Sequence, residues 1–373
     1  MSDFESWKAG FAERAEAAGL PSDVVAAALK SVSSDHEVIV KDQRQREFGM
    51  PIWFYLDKAV SETRREAAKA GLERKERLFD SIDAGWGVDR AVLAAIWAIE
   101  TQCGEIMGEF DTIRSLATLA HEGRRGAFFE AELIAALRIL ASGVVSDLRG
   151  SWAGAMGHMQ FLPSTYLAHG VDADGDGRSD IWGEDPSDAL ASCATYLAGI
   201  GWQADKVWGG EVTLPEGMDL RQTGWAGTRP VADWVAMGVQ GDLPVTGDVA
   251  VILPAGIKGP AFWIGENARV LARYNPAESY VLAVGMMSDS LCGRPAVQKD
   301  WPRAGRGLAQ NERFEVQRLL TELGQDPGGI DGRIGQNSKA AIQNWQVSVG
   351  LPADGYADVA LLKALEEAAA AKG

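Results

Sequence analysis

Residues 89–104 read DRAVLAAIWAIETQCG, and this stretch decides the fold class of the chain. Leu93, Trp97 and Glu100 are spaced i, i+4 and i+7, which places them on one face of a helix. We therefore predict a helix that begins at Asp89, with Gly104 as its C-terminal cap. The pattern indicates a mainly α protein in which Glu100 extends an apolar stripe.

Glu100 has two interpretations at this stage. On an apolar helix face its carboxyl would be desolvated, and the negative end of the helix dipole lies nearby; both effects raise the pKa of a carboxyl. Glu100 would then keep its proton near neutral pH and could act as a general acid. The alternative is a structural Glu that pairs with Arg114, Arg124 or Arg125.

The rest of the chain divides into helical and strand-like stretches. Further helices are predicted over 22–29, 61–78, 127–140, 188–200, 267–273 and 280–287. Short β-branched or aromatic runs bounded by Gly and Pro predict strands at 212–214, 249–253 and 262–264. We interpret about 209–265 as a β-containing insertion within one domain over 1–293, followed by a linker at 294–310 that contains Pro, Gly and basic residues. A compact unit at 311–367 completes the predicted organisation.

Charge and cysteine content exclude some functions. The 373 residues carry a formal net charge of −16, which argues against nucleic acid as a partner because phosphate binding requires clustered Lys and Arg. The first residues lack the apolar stretch of a signal peptide. We therefore expect either a cytosolic protein or one whose export signal is not part of this sequence. Cys103, Cys193 and Cys292 are odd in number and far apart, so we interpret them as three buried thiols.

Several motifs in order resemble the membrane-bound lytic transglycosylase B family. They are IWAIETQCG at 96–104, SLATLA at 115–120, FFEAEL at 128–133, GSWAGAMGHMQFLPSTY at 150–166 and RYNP at 273–276. The resemblance covers nearly the whole chain. It implies a lysozyme-like α fold with a deep groove for sugars. Gln102 and Cys103 depart from the family, which usually has Asn and an aromatic residue there, and Thr195 replaces the usual Asn before Tyr196.

The resemblance also implies a reaction. Glu100 would be the one catalytic carboxylate: it would protonate the oxygen between N-acetylmuramic acid (MurNAc) and N-acetylglucosamine (GlcNAc), then act as base on the muramoyl C6 hydroxyl. The product would be a 1,6-anhydro-MurNAc end, and the substrate's acetamido group would replace the second carboxylate that most glycosidases use. No cofactor is required for this chemistry. Glu105 and Glu109 are predicted to be surface residues.

Substrate contacts are carried over from the resemblance position by position. Ser151 would hydrogen-bond near Glu100 or the acetamido group, and Gln160 would contact the sugar beside the cleaved bond. The remaining groove-lining positions are Tyr196, Tyr274, Asn275 and Tyr280. For Tyr196 and Tyr274 the alternative is a buried structural tyrosine.

Three rival functions stay open. A goose-type muramidase would use the same fold and acid, but water would attack; the loop from Ser151 to Gln160 and the pair Tyr274-Asn275 favour the transglycosylase. A non-catalytic wall-binding protein is the second rival, and the intact motif set around Glu100 disfavours it. A cytosolic protein of another purpose is the third, and it depends only on the absence of an export signal.

The run DADGDGRSD at 172–180 is half of an EF-hand loop and predicts a structural Ca²⁺ site. Carboxylates stand at loop positions 1, 3, 5 and 9, a Gly stands at position 6, and position 7 would supply a backbone carbonyl. Position 12, where a bidentate Glu belongs, is Gly183. Glu184, Asp185 or Asp188 could supply a late carboxylate, and the family resemblance favours Asp188. The predicted ligands are Asp172, Asp174, Asp176, Arg178, Asp180 and Asp188, and the alternative is an Asp/Gly turn without metal.

The C-terminal unit is similar to the peptidoglycan-binding domain 1 family, a three-helix bundle. The similarity is carried by GIDGRIG at 329–335, AAIQNWQ at 340–346 and GLPADG at 350–355. We predict that Leu319, Leu320, Ile342 and Trp345 form its core. Together the two resemblances predict that the partner is the glycan strand of peptidoglycan, and they allow contacts with cell-wall synthesis or remodelling proteins. They also predict a monomer that is located in the periplasm or the outer-membrane-associated cell envelope.

Overall fold

The computed structural model describes residues 3–47, 50–122 and 125–372. They form two compact units, one from the described residues of 1–45 and 62–204 and the other from those of 46–61 and 205–373. Helices dominate both units, so the predicted mainly α class is confirmed. Within the described residues, none of the helices combines the length and apolarity that a membrane crossing requires.

Seventeen α-helices occur in the described residues. In chain order they are α1 Asp3–Ala17, α2 Ser22–Leu29, α3 His36–Glu47, α4 Ile52–Ala59, α5 Glu62–Arg74, α6 Glu76–Trp86, α7 Arg90–Thr101, α8 Thr112–His121, α9 Gly126–Ser142, α10 Pro163–His169, α11 Ser187–Gly199, α12 Val231–Ala236, α13 Glu266–Tyr274, α14 Glu278–Leu291, α15 Gln310–Glu322, α16 Gln336–Ser348 and α17 Val359–Lys372. The helix predicted over 61–78 is two helices, because Lys75 has a non-helical backbone (φ −117°, ψ 28°). The other predicted helices are confirmed within a few residues.

Helix α7 is the central element of the first unit. The Asp89 carboxylate caps it by accepting a hydrogen bond from the backbone N–H of Ala91. Every residue from Ala91 to Ile99 is buried, and α5, α6 and α11 pack against the helix. A helix that is apolar on all sides belongs inside the protein. The stripe predicted from Leu93 and Trp97 is therefore part of a helix buried all round.

The strands form two antiparallel arrangements. In the first unit β1 Phe110–Asp111 pairs with β2 Arg149–Gly150. In the second unit the strands β3 Gly209–Thr213, β4 Arg229–Pro230, β5 Gln240–Gly241, β6 Asp248–Ile252 and β7 Ala261–Ile264 are ordered β4-β6-β7-β3-β5. One face of this sheet buries Trp234 and Trp263 with several valines. The three predicted strands are confirmed as β3, β6 and β7, with β3 beginning three residues early.

The C-terminal bundle consists of α15, α16 and α17. Its core contains the predicted Leu319, Leu320, Ile342 and Trp345, so that prediction is confirmed. Gln317, which is 1% exposed, has its amide satisfied: it donates to the Asp331 carboxylate and accepts from the backbone N–H groups of Asp331 and Gly332. The turn before α16 is thus tied to α15 by a buried side chain.

The predicted linker contains neither helix nor strand until Gln310, where α15 begins, and its residues are held by specific contacts. The Glu211 carboxylate accepts hydrogen bonds from the backbone N–H groups of Gln298 and Lys299. Trp301 stacks on Phe262 of β7 with 6.2 Å between ring centroids. Arg303 forms a bidentate ion pair with Asp57 of α4. These four contacts hold the segment against other residues of the second unit.

Candidate active site

Glu100 is the penultimate residue of α7 and the first partly exposed one after nine buried residues. Cys193 of α11 lies near it: burial, together with the charge of Glu100, raises the pKa of this fully buried thiol. The structure therefore places one carboxylate at the accessible end of an otherwise apolar helix. Glu105 and Glu109 are exposed, as predicted.

The alternative partners of Glu100 have other interactions. Arg114 donates to the backbone carbonyl of Ser33 and pairs with Asp35 at 3.4 Å. Arg125 lies over the rings of Phe128 and Phe129, at 5.1 and 4.7 Å from their centroids. Arg124 lies outside the described residues. Arg114 and Arg125 thus each have a described interaction with another group, and the interpretation of Glu100 as a structural residue stays an alternative hypothesis.

The turn after α7 differs from the predicted cap. The helix ends at Thr101, and Gln102 and Cys103 both adopt left-handed conformations (φ 51° and 59°) before Gly104 (φ 92°). The Thr101 hydroxyl accepts from the backbone N–H of Gly104. A Cβ on Gly104 would lie 2.3 Å from the His158 ring, so only glycine fits there. Gly104 is thus required for close approach to His158, and Gln102 is the left-handed cap.

The loop that follows β2 is held to this turn. The Ser151 N–H donates to the Ala155 carbonyl at 2.7 Å, and a Cβ on Gly150 would lie 2.1 Å from that same oxygen. The Gln160 amide donates to the carbonyls of Met107 and Gly157. Because Met107 follows α7 in the chain, this bond joins the loop after β2 to the segment that leaves α7. Ser151 and Gln160 therefore belong to the same side of the first unit as the end of α7.

The Ser151 hydroxyl has a defined hydrogen-bonding state. Its Oγ accepts hydrogen bonds from the backbone N–H groups of Ala153 at 3.3 Å and Ala155 at 3.0 Å. Two backbone donors occupy its acceptor sites, so its own O–H is left to donate. A hydroxyl that is held in place, and whose O–H is still available to donate, is suited to donate a hydrogen bond to a carboxylate or to an amide carbonyl.

His158 is a site residue that sequence reasoning missed. It is 3% exposed; its Nδ1 accepts from the Trp97 indole N–H at 3.1 Å, and its Nε2 donates to the Gly183 carbonyl at 2.7 Å. Its backbone carbonyl accepts from the Thr101 hydroxyl at 2.8 Å. Burial lowers the pKa of His158, which agrees with a neutral ring that both accepts and donates. A lone His in a Gly-rich motif was the only signal available in the sequence.

This network predicts a measurable stability effect. His158→Leu leaves the buried indole N–H of Trp97 and the Gly183 carbonyl without partners, so the free energy of unfolding should fall by about 1–3 kcal/mol. Urea denaturation measures the change. Trp97→Phe is the matched variant: the double variant should cost less than the sum of the two single variants, since both ends of the bond are then removed. If the double variant lost the full sum of the two single-variant losses in unfolding free energy, the result would contradict the hydrogen-bond network.

The tyrosines lie in separate places. Tyr196 of α11, in the first unit, contacts the rings of Phe161 (5.8 Å, edge-on) and His169 (4.9 Å), and burial raises its pKa. In the second unit Tyr274 and Tyr280 stack at 6.0 Å with their planes 5° apart. Tyr280 is 2% exposed, so most of its ring is unavailable to a sugar face.

Asn275 joins two helices of the second unit. It follows α13, and its side-chain oxygen accepts from the backbone N–H of Ala277 just before α14. This is an Asx turn, which fixes the chain direction between two helices. Tyr274, Asn275 and Tyr280 therefore cluster at the α13–α14 junction, while Glu100, Ser151, Gln160 and Tyr196 belong to the first unit.

The acidic loop brings three of its predicted ligands together. Carboxylate oxygens of Asp172, Asp174 and Asp176 all lie within 4.8 Å of one another, and all three residues are exposed. Asp172 also accepts from the backbone N–H groups of Gly175 and Gly177, which shapes the loop around it. Hard oxygen donors converging on one point are the ligands that Ca²⁺ prefers. The donor set therefore fits this ion.

Asp180 and Asp188 hold the backbone of the same region. Asp180 accepts from the N–H groups of Trp182 and Gly183. Asp188 is 3% exposed and accepts from the N–H of Ala173 at 2.8 Å and of Asp180 at 2.7 Å, so it ties both ends of the loop to α11. Burial raises the pKa of Asp188. Its role as a late metal ligand, like the contributions of Asp180 and of the Arg178 carbonyl, stays a prediction.

The cysteines differ in exposure. Cys193 is buried as predicted, Cys103 is half-buried, and Cys292 is exposed at the end of α14, so the prediction of three buried thiols is wrong for Cys292. Burial raises the pKa of Cys103 to about 12, so its thiol stays protonated at neutral pH. Cys103 therefore occupies the position of the family's aromatic residue as a neutral side chain.

Two family models match this chain. The model described as "Transglycosylase SLT domain" matches residues 3–289, and the model described as "Putative peptidoglycan binding domain" matches residues 309–365. Membrane-bound lytic murein transglycosylase B of Escherichia coli (strain K12) is 31% identical over 227 residues, which are 57% of this chain and 60% of the relative. The chain thus matches less than two thirds of that relative's length.

Solved structures resemble the chain over more of its length. SltB3 from Pseudomonas aeruginosa, in complex with NAG-anhNAM-pentapeptide, is 42% identical with a TM-score of 0.94 and covers 98% of this chain and 100% of its own. The Escherichia coli lytic transglycosylase Slt35, in complex with calcium, is 25% identical with a TM-score of 0.67 and covers 76% of this chain and 92% of its own.

Proposed function

Because the chain belongs to the transglycosylase SLT domain family, we propose that it is a lytic murein transglycosylase that cleaves the MurNAc-β-1,4-GlcNAc bond of peptidoglycan. The observation that carries the proposal is the position of Glu100 at the accessible end of a buried helix, beside the loop that holds Ser151 and Gln160. The SltB3 complex supports the reaction type, because its ligand contains an anhydro muramoyl sugar.

Glu100 carries both proton transfers in the proposed reaction. Its carboxyl proton goes to the glycosidic oxygen as the bond from that oxygen to C1 of MurNAc breaks, and the GlcNAc unit leaves as an alcohol. The resulting carboxylate then takes the proton of the C6 hydroxyl while the C6 oxygen bonds to C1. Glu100 ends protonated, as it began, and no water is consumed. The substrate's acetamido group stabilises C1 between the two steps.

Ser151 is proposed to assist as a hydrogen-bond donor. Two backbone N–H groups occupy its oxygen, so the hydroxyl proton is directed to the Glu100 carboxylate or to the acetamido carbonyl. Gln160, held by two carbonyls, positions the loop against the sugar beside the cleaved bond. Tyr196, Tyr274, Asn275 and Tyr280 remain proposed substrate contacts.

The reaction class has a direct test. We expect mass spectrometry of digested sacculi to find 1,6-anhydro ends, whereas a muramidase releases reducing ends that are heavier by one water. Catalytically intact protein that produces only reducing ends would establish the goose-type muramidase. Protein that binds sacculi and releases neither product would establish the non-catalytic wall-binding alternative.

A domain organisation and a location follow from the proposal. We propose a catalytic domain over 1–293, a connecting segment over 294–310 and a peptidoglycan-binding module over 311–367; the ranges of the two family models support it. Since peptidoglycan belongs to the bacterial cell envelope, we propose that the protein acts in the periplasm or at the outer membrane. We further propose that it is a monomer that acts alone or beside proteins of wall synthesis.

We propose that the acidic loop binds Ca²⁺ as a structural ion and that the chemistry does not use it. Asp172, Asp174 and Asp176 would hold the ion, with the Arg178 carbonyl, Asp180 and Asp188 completing the set. The Slt35 structure, which contains calcium, supports this assignment. With the weak affinities of extracellular calcium modules, about 10⁻⁴–10⁻³ M, ~10 mM Ca²⁺ should stabilise the fold by about 1.4–2.7 kcal/mol.

The calcium prediction concerns the melting temperature. A gain of this size should raise the Tm by roughly 3–10 °C in calcium relative to chelator. Asp174→Ala should abolish the gain, because it removes one of the three converging carboxylates. Asp242→Ala, an exposed Asp of the second unit, is the matched control and should keep it. Identical wild-type melting curves in calcium and chelator would contradict the site.

A further inference from the structure

A groove of about 490 Å³ lies within the second unit, between the sheet region and the C-terminal bundle. One wall is the segment 221–229 with Glu278, and the other is the N-terminal half of α16 with Asp354. Its volume is that of a site for a small molecule or a few residues of peptide. None of the roles given above to this chain uses it.

The two walls are held in one arrangement. The Asp354 carboxylate accepts from the backbone N–H of Ile257 at 3.0 Å across the groove, and from Gln346 and Tyr356 within the bundle. The Gln343 amide donates to the Leu220 carbonyl at 3.4 Å. The connecting segment is itself held by Glu211 and Phe262, as described above. The groove is therefore preformed, which limits the entropy that a ligand loses on binding.

The charges of the groove favour an anionic ligand. Its two carboxylates already have partners, since Asp354 caps backbone N–H groups and Glu278 accepts from the Trp225 indole N–H at 2.6 Å. Arg221 pairs with Asp219. Arg229 and Lys339, in contrast, have no carboxylate partner among the described residues. Arg229 lies over the Trp234 ring at 4.7 Å and donates to the Gln222 side-chain oxygen at 2.5 Å, while its buried Nε has no hydrogen-bond partner in the described part of the chain. Two cations without a paired carboxylate in a chain of net charge −16 favour an anionic ligand at this place.

The amide groups of the walls narrow the ligand class. Gln222, Gln336, Asn337 and Gln343 all line the groove. Amide side chains offer both donors and acceptors, which match the N–H and C=O groups of a peptide. A ligand that combines carboxylates with peptide groups fits this lining better than an uncharged glycan, which offers no partner for Arg229 and Lys339.

We propose that this groove binds the peptide stem of peptidoglycan, with stem carboxylates on Arg229 and Lys339 and stem amides on the Gln and Asn side chains. The inference rests on the proposed function, because it assumes the same polymer as substrate. The C-terminal module then recognises the stem only together with the sheet region, and it orients the glycan strand relative to the rest of the enzyme. Two linked contacts on one polymer raise the effective concentration of the second.

Calorimetric titration with the free stem pentapeptide L-Ala-γ-D-Glu-meso-diaminopimelate-D-Ala-D-Ala tests the proposal. The wild-type full chain should bind it, and Lys339→Glu should weaken binding by about tenfold or more, because a repelling anion replaces a pairing cation. Lys339 is exposed on α16, so the fold should tolerate the change. Lys363→Glu on α17 alters the net charge equally but lies outside the groove, and it should bind as the wild type does.

A second variant tests whether the pentapeptide binds in this groove, because it fills the groove with a larger side chain. Ala340 lines the groove from an exposed position, so Ala340→Trp should fill the space and abolish pentapeptide binding. Equal affinity in wild type, Lys339→Glu and Ala340→Trp, or no wild-type binding at millimolar pentapeptide, would overturn the proposal. The proposal would also be overturned if the wild-type groove bound neutral chitotetraose and did not bind the pentapeptide. Cleavage of peptide-free glycan by wild type tests the proposed function separately, so the two failures are distinguishable.

Discussion

Glu100→Gln is expected to lower kcat by at least about 10⁴-fold, because general acid–base groups typically contribute ~10²–10⁴-fold and here one residue serves both steps. Gln keeps the shape of the side chain but can neither give the proton that the leaving oxygen needs nor take the proton of C6–OH. The fold should survive, since Glu100 is partly exposed and the new side chain brings no charge. Release of anhydro-muropeptides from sacculi measures the loss.

The neighbouring Glu109 supplies the control for this experiment. It is exposed nine residues further along the chain, so Glu109→Gln makes the same chemical change away from the end of α7 and should retain wild-type turnover. Glu100→Gln protein should still bind glycan and melt at the wild-type temperature. If it keeps more than about a tenth of the wild-type kcat, far above the range for a general acid–base, another group performs the chemistry.

Ser151→Ala is expected to lower kcat by about 10²-fold, the lower end of the effect of losing one preorganised donor in an active site. The alanine variant loses the hydroxyl proton, and it also frees the N–H groups of Ala153 and Ala155 that the Ser151 oxygen holds. The kcat should therefore fall more than the KM rises, because the donor acts on developing charge and not on distant parts of the substrate.

A conservative variant separates the chemical role of Ser151 from its structural role. Ser151→Thr keeps the hydroxyl and should recover much of the kcat. A purely structural Ser151 would lower the melting temperature of Ser151→Ala and leave the kcat of the folded fraction unchanged. That combination would remove Ser151 from the proposed mechanism.

Short-range patterns were sufficient for much of this protein. The spacing of Leu93, Trp97 and Glu100 predicted α7, and the ordered motifs predicted the family that the matched model confirms. The family assignment places the chain among proteins with a transglycosylase SLT domain. Turn residues and apolar periodicity also predicted three of the five sheet strands, β3, β6 and β7, and the core of the C-terminal bundle. These features depend on residues a few positions apart, so one sequence suffices to show them.

Other features depend on residues far apart in the chain, and only the tertiary structure decided them. Periodicity could not show that α7 is enclosed on all sides, because its covering helices come from two separate stretches, α5–α6 before it and α11 about ninety residues after it. It could not show His158 between Trp97 and Gly183, nor Glu211 holding a segment almost ninety residues later. The sequence determined which residue is the candidate acid. Packing determined which long-range contacts form around the end of its helix, since such contacts arise from three-dimensional proximity that no local pattern encodes.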